Sequence, residues 1–353
     1  MFLSKLISFS ILTIFATGLT SCSTAKYYSH AVVGHLQLTT WLTPIQKAIE
    51  QNDTNKELRR QLELVTELRD FAENKLSLDV GKAYSKYKHL DRSAAVWVVY
   101  AASTFSTKLQ TWKYPIVGEY QSKGFFKERM AKEYSVKLHS KGYDVYVGEA
   151  AAYSTLGWFS DPLLSTFLDD TDEELAETLF HELAHRTYYL KGDTMFNESF
   201  ATSFAQKSVQ LWLKEKGEEK RLEKYRKKLK RRDEFRSLLQ ETKNGLSLIY
   251  KNVNNDSVAI LQKRKQDSIQ SFKATCITLR KKWNSPESLK SWIDEEVNNA
   301  KIAASSVYLL KVPYFNRLWD RAKQNPNAYL EMVKALEWRK AISFPVLAAF
   351  LSF

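Results

Sequence analysis

His181-Glu182-Leu183-Ala184-His185 places two imidazoles four residues apart, with a carboxylate beside the first. On a helix, positions four apart share one face, so both rings can reach a single ion. Glu182 can then aim its carboxylate at a water held by that ion. A catalytic zinc needs a third protein ligand and one open position. The long form of the motif would require a Gly and then a His further on, where Tyr188 and Lys191 stand. No His follows residue 185. Cys276 has no nearby histidine base and reads as a small buried hydrophobe. A carboxylate is therefore expected as the third ligand.

Two carboxylates lie close by, Asp193 and Glu198. Glu198 is the only charged residue in Thr194–Gln206, where Phe196, Phe200 and Phe204 recur four apart. A lone carboxylate on a buried helical face is costly unless it is paired or bound to a metal. The turn Lys191-Gly192-Asp193 lets this second helix fold back on the first. Glu198 is thus expected as the third ligand to one Zn2+ ion, against the alternative of a first-turn Glu beside the helix dipole. Asp193 either accepts from a ligand imidazole N–H or caps the Glu198 helix.

The elements that must position these groups are also readable. Thr171-Asp172-Glu173-Glu174 fits a capping box, and Leu175, Leu179 and Leu183 form an apolar stripe behind it. Residues 56–77 form an amphipathic helix through Leu58, Leu62, Val65, Leu68, Phe71, Ala72 and Leu76. Strands are expected at Ala94–Ala101 and Trp112–Tyr120, then a helix at about 125–140. Asp144–Val147 and Ala152–Phe159 read as two further strands, broken near Gly148. After Asp161-Pro162 the pattern is helical to the end. The class is α+β, with a small mixed sheet in the N-terminal half and a mostly helical C-terminal half. No repeat or low-complexity linker divides 22–353, which reads as one unit with parts 22–160 and 161–353.

The 353 residues include 53 Lys+Arg against 40 Asp+Glu, a net charge of +13, with 44% hydrophobic residues. That composition excludes whole-chain disorder and a collagen-like repeat, and two cysteines exclude a disulfide scaffold. Residues 1–21 hold one charge, Lys5, and an apolar run Leu6–Phe15, the plan of a signal peptide. They end in Leu19-Thr20-Ser21-Cys22, which resembles a bacterial lipobox. Cys22 is thus expected to carry lipid and to join the protein to a membrane of the cell envelope, on the periplasmic side of the outer membrane. The apolar Ile342–Phe353 is too short to span a bilayer and is expected to pack on the core. Lys220–Arg232 holds nine bases and one acid, read as a solvated basic face of an amphipathic helix. Anionic lipid is the expected partner of 220–232. Nucleic acid is not, since no recognition motif accompanies the run.

A His-Glu-x-x-His helix followed by Asn197-Glu198 resembles the gluzincin plan of zinc metallopeptidases. More narrowly, Ala152–Pro162 (AYSTLGWFSDP) and Phe196–Thr202 (FNESFAT) resemble the bacterial putative zinc aminopeptidase lipoprotein family. So do Tyr27-Tyr28 to Gly34-His35, Leu68–Ala72 and Asn298-Asn299-Ala300. The family pattern has cysteines around Trp112–Tyr120, where this chain has Lys113 and Glu119.

The resemblance implies a zincin-like fold and zinc-dependent hydrolysis of peptide substrates. Zinc would be held by His181, His185 and Glu198, with Glu182 as general base and Asn197 supporting the ligands. It implies an oxyanion donor among Tyr153, Tyr188, Tyr189 and Tyr308, with Tyr308 favoured. Tyr153 and Gly157, on the strand Ala152–Trp158, either pair with extended substrate or form core. Asn298 and Asn299 either contact substrate or cap a helix. Glu149 is one candidate to hold a substrate amine. Endopeptidase action and a non-catalytic envelope binding protein remain alternatives.

Overall fold

Twelve helices and eight short strands occur among residues 22–114, 118–151, 161–168, 171–251, 256–307 and 311–340, which the computed structural model describes. The chain begins α1 (Cys22–Thr39), β1 (Thr43–Pro44), α2 (Ile45–Glu50), α3 (Lys56–Asn74), β2 (Lys86–Lys88) and β3 (Val96–Ser103). Next come β4 (Trp112–Tyr114), β5 (Gly118–Tyr120), β6 (Lys123–Phe125), α4 (Glu128–His139), β7 (Tyr143–Ala150) and β8 (Leu163–Leu164). The helical series follows: α5 (Asp172–Thr187), α6 (Thr194–Glu215), α7 (Glu219–Tyr250) and α8 (Val258–Lys282). It closes with α9 (Lys290–Asp294), α10 (Asn299–Val307), α11 (Val312–Arg321) and α12 (Pro326–Lys340). None of the described helices is long and apolar enough to cross a membrane.

The architecture is α+β, but among the described residues the strands form three small sheets rather than one. β3 is central in an antiparallel sheet ordered β6-β3-β7. Its alternation buries Trp97, Val99 and Ala101 against Ala131 and Leu138 of α4. On its other face Tyr100 stacks on Tyr146 with centroids 6.1 Å apart, and α10 covers them through Ala303 and Ala304. β7 runs unbroken through Gly148, contrary to the expected break, because all eight of its residues pair with β3 in register.

The expected single strand Trp112–Tyr120 is instead two antiparallel strands; Pro115 and Gly118, which disfavour a continuous strand, are the local sign of the reversal that the aromatic and branched residues around them outweighed. Lys113 and Glu119 stand opposite each other there and form an ion pair of 3.1 Å. Both side chains are exposed, so that pair stabilises by at most about 1 kcal/mol. The region after Asp161 is not helical at once. Leu163–Leu164 pairs parallel with β2, which pairs antiparallel with β1, giving a mixed three-stranded sheet.

The main core lies under α5 and α6. Leu175, Leu179 and Leu183 of α5 meet Phe196, Phe200 and Phe204 of α6, backed by Phe315 and Tyr329 of α11 and α12 and by Leu62, Val65 and Leu68 of α3. A second cluster joins α7 and α8 through Leu246, Tyr250, Phe272 and Cys276. Cys276 is fully buried, and burial pushes its thiol pKa up to about 12, as suits a packing residue.

Basic helix α7 departs from the solvated face expected of Lys220–Arg232. Arg221 binds Asp172 (3.2 Å) and Glu173 (2.7 Å), Lys228 binds Glu174, and Arg232 binds Glu177 at 2.6 Å. Tyr225 also donates to Glu177 at 2.8 Å. Three bases of the run thus clamp the acidic half of α5, while Lys220, Lys224, Arg226, Lys227 and Lys230 remain exposed. The leader 1–21, the strand Ala152–Phe159 and the apolar Ile342–Phe353 lie outside the described residues.

Candidate metal centre

Helix α5 starts on the expected capping box. Thr171 Oγ1 accepts from Glu174 N, and Glu174 Oε2 accepts from Thr171 N. The helix ends where Tyr188 turns extended, and its ring packs edge-on against Phe196 and Phe200. Its last turn is tied down on the outside. Arg186 Nε donates to Asp79 O at 3.0 Å, and Thr187 Oγ1 accepts from Asp79 N at 2.9 Å.

The connection to α6 is short and held at both ends. Gly192 has φ +84°, a left-handed conformation that glycine adopts without penalty. Asp193 caps α6, its carboxylate accepting from Phe196 N at 2.9 Å. Of the two roles read for Asp193, the cap is the one this geometry displays. Asn197 is fully buried and clasps the connection, accepting from Leu190 N and donating to Leu190 O, both at 2.8 Å. That clasp turns the first turn of α6 back toward α5.

Glu198 lies on that turn and faces both histidines. Its Oε2 is 3.3 Å from His181 Nε2, and its Oε1 is 3.4 Å from His185 Nε2. The two Nε2 atoms are 3.0 Å apart, with the rings nearly perpendicular at 88°. Burial opposes charge on His181, but its bond to Glu198 and the charges of Glu182, Glu198 and Glu177 hold its pKa above the usual value. Burial likewise opposes charge on Glu198, yet bonds from both imidazoles hold its carboxyl far below the carboxylate range. The ionised carboxylate is thus the stable form.

The residues present fit a metal ion. One donor atom from each of His181, His185 and Glu198 lies within 4.8 Å of the others. His185 is 4% exposed, and its Nδ1 has no hydrogen-bond partner among the described residues. Glu198 meets no Lys or Arg there; its ion-pair partners are the two imidazoles. Two nitrogens and an oxygen crowded together without a counter-cation are what a divalent ion would stabilise, and three ligands leave room for water.

Tyr189 is the tyrosine of the predicted four that the described structure brings beside this cluster. Its ring is 6.1 Å from that of His185. Burial, the adjoining Tyr120 phenol and the Glu198 charge push its pKa up to about 12, so it is a protonated donor at neutral pH. Tyr120 belongs to the hairpin that sequence reading took for one strand, so its approach was hidden. Tyr84, also missed, has a buried hydroxyl with no partner among the described residues, and the Glu182 charge helps hold it protonated. An aromatic in a loop carries no local mark of such a neighbour.

Asn298 and Asn299 have structural partners. Asn298 donates to Val145 O at 2.9 Å and accepts from Lys301 N, capping α10. Asn299 donates to Thr104 O and accepts from the Tyr250 hydroxyl, each at 2.8 Å. Glu149 accepts from Ser93 and from the Trp97 indole. Cys22 opens α1. Tyr153, Gly157 and Tyr308 lie outside the described residues.

A family described as "Putative aminopeptidase" has a model that matches residues 26–342. No curated protein and no solved structure matches the chain.

Proposed function

The chain belongs to the Putative aminopeptidase family, and from that premise we propose that it is a zinc-dependent aminopeptidase of zincin-like fold. The observation that carries this reading is the convergence of His181, His185 and Glu198, with no cationic side chain meeting Glu198 among the described residues. Two imidazoles and a carboxylate form a donor set suited to Zn2+. A zinc ion bound there would supply Lewis acidity to the attacking water and to the scissile carbonyl.

The remaining work falls to the chain's own groups. Glu182 follows His181 on α5, and its carboxylate takes the proton of the attacking water and delivers it to the leaving amine. The Tyr189 hydroxyl donates to the developing oxyanion, a role for which a protonated phenol is suited. Asn197 holds the connection that sets Glu198 against the histidines. Leu19-Thr20-Ser21-Cys22 supports lipid attachment at Cys22, which would tether the enzyme to the periplasmic side of the envelope.

Peptides differing only in a free or acetylated N-terminus test the activity. The zinc-loaded protein should release the first residue of the free peptides, leave the blocked ones intact, and lose activity to a chelator. Equal cleavage of both sets would replace aminopeptidase by endopeptidase action. Cleavage of neither would remove the enzymatic reading.

A further inference from the structure

Away from the histidines, a cleft of about 490 Å³ opens between α7, the N-terminus of α5 and the corner where α8 leads to α9. That volume falls within the ordinary range of small-ligand sites. Six basic side chains line it against one carboxylate, Glu173. Arg221, Lys228 and Arg232 are neutralised by the acids of α5. Lys227 meets only the exposed Glu223, at 3.4 Å. Lys224 and Arg231 form no ion pair among the described residues.

Lys224, Lys227 and Arg231 are three and four residues apart, so they share one face of α7 and repel one another. Arg231 is nevertheless held in place, donating to Trp283 O at 2.7 Å. The Trp283 indole is fixed in turn by Glu234 at 2.7 Å, and Trp283 and Phe235 also line the cleft. A fixed guanidinium, two amines and flat apolar walls without a matching carboxylate lack an anion of their own.

We propose that this cleft binds a phosphate-bearing anion through Lys224, Lys227 and Arg231. Guanidinium donates to phosphate oxygens in pairs, while the flexible amines supply charge without fixed geometry. The ligand chemistry is shared by a soluble phosphate ester and by the headgroup of an anionic lipid.

Calorimetric titration of the full-length protein tests the site with three probes: inorganic pyrophosphate, short-chain phosphatidylglycerol and short-chain phosphatidylcholine. The double variant K224A/R231A leaves the pairs to α5 intact, and K132A/K263A removes two exposed charges on α4 and α8, outside the cleft lining, as a control. Saturable one-to-one pyrophosphate binding, weakened at least tenfold by K224A/R231A alone, supports the site with a soluble ligand. Binding of phosphatidylglycerol only, lost in the same variant, supports it with a lipid headgroup. Binding of none of the anions, equal binding of phosphatidylcholine, or equal weakening by the control overturns it. Melting curves of all variants separate lost binding from lost folding.

Discussion

The two halves of helix α5 treat charge in opposite ways. In the first half, Asp172, Glu173, Glu174 and Glu177 are each met by a fixed cation: Arg60, Arg221, Lys228 or Arg232. In the second half, His181 and His185 face Glu198, and no Lys or Arg of the described residues approaches it. The same helix thus has its N-terminal carboxylates answered by cations, while its two histidines have Glu198 as their ion-pair partner among the described residues. Carboxylates answered by side chains are architecture, each partly exposed pair contributing about 1 kcal/mol or less. Two imidazoles and a carboxylate brought together with no Lys or Arg of the described residues on the carboxylate form, by contrast, a group that could hold a metal ion.

The largest effect should separate the two halves directly. Glu182→Gln should lower kcat by about 10²- to 10⁴-fold, the usual contribution of a general base, with melting temperature and metal content unchanged. Glu177→Gln, one turn earlier, should instead cost about 1–2 kcal/mol of stability as Arg232 loses its counter-charge and Arg232 and Tyr225 are left with one acceptor oxygen in place of two, with kcat close to the parent. Peptidase assays beside denaturant unfolding check both. Similar losses of kcat in the two variants would erase the distinction between the halves.

Asn197→Ala comes next. It leaves Leu190 N and O without their partner and should destabilise by about 1–3 kcal/mol. Metal affinity should fall with it, because the clasp sets Glu198 against the histidines. Unfolding and competitive chelator titration measure the two effects separately, and unchanged metal affinity would reduce the clasp to packing.

The smallest effect lies in the clamp and depends on pH. Burial opposes ionisation of Glu174, but Lys228 and Thr171 outweigh it and hold its carboxyl below the ordinary 4.5. For a depressed carboxyl, the stabilisation is present above the unfolded value and is lost as pH falls through the folded one. Glu174→Gln should therefore cost about 0.5–1 kcal/mol near neutrality and less as pH drops below the ordinary value. Melting temperatures across the acid range check this, and an undiminished difference at low pH would contradict it.

Much of the site was legible because helices are local. The spacing of His181 and His185, the box at Thr171–Glu174 and the lone charge of Glu198 among phenylalanines all lie within a few turns. The motif pattern and the cost of burying an unpaired carboxylate then point to one cluster. What escaped was long-range. The bases of 220–232 read as solvated because their partners, Asp172 to Glu177, lie about fifty residues away. The β7 register carried the chain through Gly148, and a pairing of Leu163 with Tyr87 made a strand where local pattern indicated helix. Tyr189 stands beside the cluster because a loop conformation, not a periodicity, placed it.

Metal analysis of the purified protein and of Glu198→Ala tests the central claim most directly. One zinc per chain is predicted in the parent, with Glu198→Ala folded but reduced to about a tenth of that content or less, since even outer-shell changes weaken metal sites 10- to 100-fold. A folded parent that holds no stoichiometric metal after zinc loading, or a Glu198→Ala variant that retains it in full, would contradict the account.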